Sequence, residues 1–98
     1  MANNDEFEAL KHKITWVLRE HSVKRAGIFG SYAKGEQTKH SDVDVLIEAD
    51  EDADLVDIIG IKLSLEKATQ KKIDLVEYST IRPELKESIL SGEIPLNL

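Results

Sequence analysis

Phe7, Leu10, Ile14, Val17 and Leu18 recur at three- and four-residue intervals, with His21 continuing the stripe, and this spacing predicts an amphipathic helix from about Glu6 to Glu20. Asp5 followed three residues on by Glu8 reads as a capping box at its start. The segment from Val23 to Phe29 is short, partly β-branched and ends at Gly30-Ser31, which predicts a strand running into a tight turn, with a brief helix at Tyr32 to Lys34. From Ser41 to Glu48 the period changes to two. Val43, Val45 and Ile47 alternate with Asp42, Asp44 and Leu46, the clearest strand pattern in the chain.

An acidic stretch from Glu48 to Asp54 follows, readable as a solvated loop whose carboxylates also suit the start of the next helix. Leu55, Ile58, Ile59, Lys62, Leu63 and Leu65 mark that helix, with Gly60 a weak point inside it. In Ile73-Asp74-Leu75-Val76-Glu77-Tyr78 a third strand puts Ile73 and Leu75 on one face and Asp74 and Val76 on the other. Pro83 suits a first helical turn, Leu85, Ile89 and Leu90 supply its stripe, and Gly92 its C-cap, before a short apolar tail of Ile94, Pro95 and Leu96. The order helix, strand, strand, helix, strand, helix, without repeat or linker, describes one α/β (α+β) unit over residues 1–98. Strand directions are not readable from this pattern.

Two carboxylates on one face of a strand repel each other unless a cation joins them. Asp42 and Asp44 are such a pair, and Asp74 can aim the same way from the third strand. Ahead of them, Gly30 and Ser31 open a small-residue loop. Gly30 allows backbone to approach a ligand, and Ser31 offers a hydroxyl and an N–H to phosphate oxygens. The pattern points to a phosphate cradle beside a divalent metal held jointly by carboxylates and a nucleoside triphosphate.

Composition narrows the setting. Ninety-eight residues leave no room for a separate acceptor-binding domain, so a partner or a very small substrate is expected. The net charge of -6 disfavours a nucleic-acid partner, leaving only a local patch at Lys34, Lys39 and His40. With no cysteine, metals must sit on oxygen or imidazole. No apolar stretch approaches a membrane span, and the acidic start Met-Ala-Asn-Asn-Asp-Glu is unlike a secretory signal, so the expectation is a cytoplasmic chain. The three histidines lack metal-ligand spacing. His12 and His21 are read as structural, His40 as an incidental loop residue, and Trp16, Leu18 and Tyr32 as packing or partner-contact residues.

The run Gly30-Ser31, ten residues, Asp42-Val43-Asp44, with Ala33 and Gly35 in the spacer, resembles the signature of polymerase-β-type nucleotidyltransferases. It is most similar to the minimal nucleotidyltransferase (MNT) group. The leading helix, the Ile-Asp-Leu-Val strand at 73–76 and the ending from Pro83 to Leu96 also resemble that group, so the likeness covers nearly the whole chain. It implies a small mixed β-sheet flanked by helices, and transfer of a nucleoside monophosphate from a triphosphate to a hydroxyl. The resemblance further implies two Mg2+ ions on Asp42, Asp44 and Asp74, with Asp74 also taking the acceptor's proton. ATP is the implied substrate, contacted by Gly30, Ser31 and Lys34, where Lys34 stands in for a common arginine. The implied partner is a helical HEPN-type toxin, adenylylated on tyrosine by its antitoxin. Two alternatives stay open: an antitoxin that acts by binding alone, and transfer to a small-molecule hydroxyl.

Overall fold

Alternation in Val43–Glu48 is obeyed strictly on one side: Val43, Val45 and Ile47 are fully buried, as a strand with one face on a core requires. The computed structural model describes residues 2–38 and 40–98, with side chains from Glu6 onward. Lys39 of the expected basic patch lies outside the described residues. The elements are α1 (Ala2–Glu20), β1 (Arg25–Phe29), α2 (Ser31–Lys34), β2 (Val43–Glu48), α3 (Leu55–Thr69), β3 (Ile73–Glu77), a 3-10 turn (Tyr78–Thr80), α4 (Pro83–Ser91) and β4 (Ile94–Leu96).

The four strands form one mixed sheet in the order β3-β2-β1-β4. β1 pairs antiparallel with both β2 and β4, while β2 pairs parallel with β3 through the α3 crossover. One sheet face, carrying Ala26, Ile28, Val43, Val45, Ile47 and Ile73, packs on Leu10, Ile14, Val17 and Leu18 of α1 and Ile61 and Leu65 of α3. His21 at the end of α1 meets Ser64 of α3 at 3.3 Å.

Two sequence expectations are corrected. α1 begins at Ala2, so Asp5 lies inside the helix and the Asp5–Glu8 box does not mark its start. The box occurs instead at α3, where Asp54 accepts the Asp57 N–H at 2.9 Å and Asp57 accepts the Asp54 N–H at 3.0 Å. The apolar tail is a strand, β4, which satisfies an edge of β1; three residues containing a proline give too little pattern to announce it. Gly92 does cap α4, with φ of -100°, outside the left-handed region.

Candidate active site

Because β2 and β3 run parallel in register, Asp44 stands directly beside Asp74. Both point away from the helix-covered core, as does Leu46 beside Val76. The third expected carboxylate, Asp42, falls just ahead of β2 rather than within it. The turn that presents it is closed by Ser41, whose Oγ accepts the Thr38 N–H at 2.7 Å and whose own N–H reaches the Thr38 carbonyl at 3.1 Å. Asp42 and Asp74 are exposed and Asp44 is half-buried, so the acids stand on an open face with the innermost member most sheltered.

Electrostatics record this crowding. Burial first, then the charge of Asp74, a hydrogen bond with Asp74 and the charge of Asp42 hold the Asp44 carboxyl above its usual range. Asp44 and Asp74 thus share a contact that favours a retained proton, while Asp42 acts on Asp44 by charge alone.

Gly30 closes the other side of Asp44. It has φ of 73°, and a Cβ there would overlap Asp44 Oδ2 and stand 3.0 Å from Cγ. Glycine at this position is required twice, by the backbone conformation and by the packing of the carboxylate against the chain. One turn of helix, α2, starts at Ser31 and ends at Gly35, whose φ of 72° makes it the left-handed cap. Such a short helix has little dipole, so what it offers an anion is its unpartnered first N–H groups and the Ser31 hydroxyl. Lys34 is exposed and borders a cavity of about 110 Å³ with Phe29, Gly30, Ser88, Ile89 and Gly92. Lys34 also borders a larger cleft of about 440 Å³ with Phe7, Tyr32, Gln37 and Ile94, and another of about 370 Å³ lies against Phe7, Leu10, Tyr32 and Gln37. They hold none of the three aspartates, and the chemistry is assigned to the open carboxylate face.

The residues fit a small, hard divalent cation in a particular way. Among the described residues, no three histidine, aspartate or glutamate side chains close into a ready-made ligand set. An abutting carboxylate pair with a third at the lip matches an ion that keeps waters and takes substrate phosphate oxygens, rather than one enclosed by protein. Burial first, and then the charges of Asp74 and Asp42, disfavour an ionised Asp44, and a cation held here would offset them.

A second cluster on the same sheet face was not anticipated. Tyr78 donates its hydroxyl to Glu93 Oε2, and the Arg25 guanidinium lies 4.3 Å from the centre of the Tyr78 ring. This clasp joins the segment after β3 to the one before β4 and crosses over Gly27, where a Cβ would overlap the Glu93 carboxyl. Gly27 was the available signal, since glycine inside a strand marks a close approach. His40, Trp16 and His12 are not brought to the carboxylates by any hydrogen bond among the described residues, and Trp16 is exposed.

Residues 10–95 match the family described as Nucleotidyltransferase domain. The chain is 45% identical over 85 residues to a Methanocaldococcus jannaschii protein whose name proposes protein adenylyltransferase activity, covering 87% of this chain and 91% of that one. It is 32% identical over 91 residues to protein adenylyltransferase MntA of Thermococcus cleftensis, covering 92% of each. A solved structure described as a candidate minimal nucleotidyltransferase is 32% identical, with a TM-score of 0.80 and 91% of each chain covered. A toxin-antitoxin complex with AMP-PNP contains a chain 25% identical, with a TM-score of 0.77, covering 89% of this chain and 72% of that one.

Proposed function

Since the chain belongs to the nucleotidyltransferase domain family, with protein adenylyltransferases among its relatives, we propose that it transfers AMP from ATP to a tyrosine hydroxyl of a HEPN-type toxin and thereby restrains it. The observation that carries this reading is the Asp44–Asp74 pair on adjacent parallel strands, with Gly30 packed against Asp44. The nucleotide-bound toxin-antitoxin neighbour supports the substrate and the partner class.

The reaction is an in-line substitution at the α-phosphorus. The acceptor oxygen forms a bond to phosphorus, the bond to the β-phosphate oxygen breaks, pyrophosphate leaves and the acceptor gives up its proton. Asp42, Asp44 and Asp74 would hold two Mg2+ ions, which when bound neutralise the triphosphate and make the acceptor hydroxyl easier to deprotonate. Ser31 and the first N–H groups of α2 bind the outer phosphate oxygens, and Gly30 lets them come close. Lys34 adds a mobile point charge, without the two-pronged grip of an arginine. Asp74 takes the acceptor proton, directly or through water: it is exposed, where an incoming hydroxyl can reach it, whereas Asp44 is the sheltered anchor. One minimal domain over residues 1–98 carries the site and leaves acceptor recognition to the partner, in the cytoplasm where ATP is supplied.

The test is to incubate the protein and its toxin partner with Mg-ATP and weigh the intact partner. Gain of one or more AMP units on tyrosine is expected. Asp42→Ala or Asp44→Ala should lower the rate by at least on the order of 100-fold without unfolding the chain. A toxin that is silenced with no added mass would mean inhibition by binding alone, and AMP appearing on a small hydroxyl compound instead would redirect the acceptor.

A further inference from the structure

Helix α3 is apolar on two sides. Its inner side, Ile61 and Leu65, fills the core, yet Leu55, Val56, Ile59 and Leu63 form a second stripe with exposures of 73%, 75%, 48% and 58%. A helix that is apolar all round is ordinarily covered all round, and a contiguous exposed stripe marks a contact surface. We propose that a second copy of this chain covers it, the two α3 helices packing antiparallel about a two-fold axis at Ile59.

Three observations select a second copy. An isologous contact requires a surface complementary to its own reverse. The stripe meets this: with Ile59 on the axis, Leu55 of one copy faces Leu63 of the other. The charges obey the same reversal. Glu51 and Asp52 precede the stripe, Lys67 follows it, and antiparallel pairing sets the acids of each copy against the lysine of the other. All three are exposed, and no ion pair among the described residues engages them. Glu66, which would spoil the basic end, is turned to its own chain, its Oε2 accepting the Ile73 N–H at 3.1 Å. Finally, Gly60 borders the stripe in mid-helix, where glycine weakens the helix, and a Cβ added there would meet nothing within 4 Å. The protomer's own packing gives no reason for that glycine, and a second helix passing closely does. Because α3 covers the sheet face opposite Asp44 and Asp74, the pairing leaves both carboxylate faces directed outward and open.

The chain contains no cysteine, so single cysteines report the geometry cleanly. In sedimentation velocity the wild-type protein should approach twice its 11.0 kDa mass as concentration rises. Ile59→Cys should form an inter-chain disulfide under mild oxidation much faster than Leu85→Cys, an exposed control on α4. Ile59→Asp should remain monomeric with an unchanged far-UV circular dichroism spectrum. Lys67→Glu should weaken dimerisation about fivefold through its two symmetric contacts, and adding Glu51→Lys should restore it. A wild-type chain that stays monomeric at the highest concentration reached overturns the proposal, as does equal cross-linking at positions 59 and 85. A monomer whose toxin binding is lost in Ile59→Asp overturns it in favour of a partner helix on this face. None of these outcomes depends on whether AMP is transferred.

Discussion

Burial, and after it the neighbouring acids, disfavour an ionised Asp44. Its raised carboxyl means that the folded chain holds this proton more readily than the unfolded chain does, so the group lowers stability as pH rises from its ordinary value of 3.8 through the raised one. Asp44→Asn should therefore raise the melting temperature by a few degrees at neutral pH while abolishing transfer, the usual opposition of stability and function at a site. Mg2+ should raise the melting temperature of the wild type and do so far less for Asp44→Asn, which scanning fluorimetry with and without the ion would show. Gly30→Ala meets both a left-handed backbone and the Asp44 carboxylate, and should cost about 1–3 kcal/mol in urea unfolding as well as activity. Tyr78 has the same sign of pH dependence, displaced to the alkaline end. Burial, then the hydrogen bond to Glu93 and the charge of Glu93, raise its phenol well above 10.0. The stability it lends is complete below that value and lost as pH climbs past it. Tyr78→Phe should flatten this alkaline limb, measured as melting temperature against pH. Spacing alone brought out Asp42 and Asp44, which are local in sequence, whereas Asp74 was singled out through the family resemblance and reaches Asp44 only through strand pairing. The Tyr78–Glu93–Arg25 clasp draws on three distant segments and left only Gly27 as a trace.

Among the elements, those with long amphipathic or strictly alternating patterns were legible. α1, β2, α3 and β3 appear within a few residues of their expected ends. What escaped was decided by contacts between elements. β4 pairs along the edge of β1 that β2 leaves free, a contact that three residues of local pattern do not announce. The parallel direction of β3 follows from the α3 crossover, and it is this direction that sets Asp74 beside Asp44. Asp42 falls off the strand because the Thr38–Ser41 turn, a hydrogen-bonding matter rather than a hydropathy one, delays the start of β2. The reciprocal box at Asp54 and Asp57 is a plain element-scale prediction: Asp54→Ala should destabilise the chain by about 1 kcal/mol in urea unfolding, with little effect on transfer.

For the molecule as a whole, the sheet divides labour between its faces. One is sealed by α1 and α3, and the other holds the acids at one end and the Tyr78–Glu93 clasp over Gly27. Among the described residues no helix is long and apolar enough to cross a membrane. The acids stand on an open, charged face. The most direct measurement is the anomalous map of crystals grown with Mn2+ and a non-hydrolysable ATP analogue. Manganese should appear against Asp42, Asp44 and Asp74, with the outer phosphates at Ser31. A map with no metal at these carboxylates, or with the triphosphate in the cleft beside Phe7 and Gln37, would contradict the carboxylate-centred mechanism.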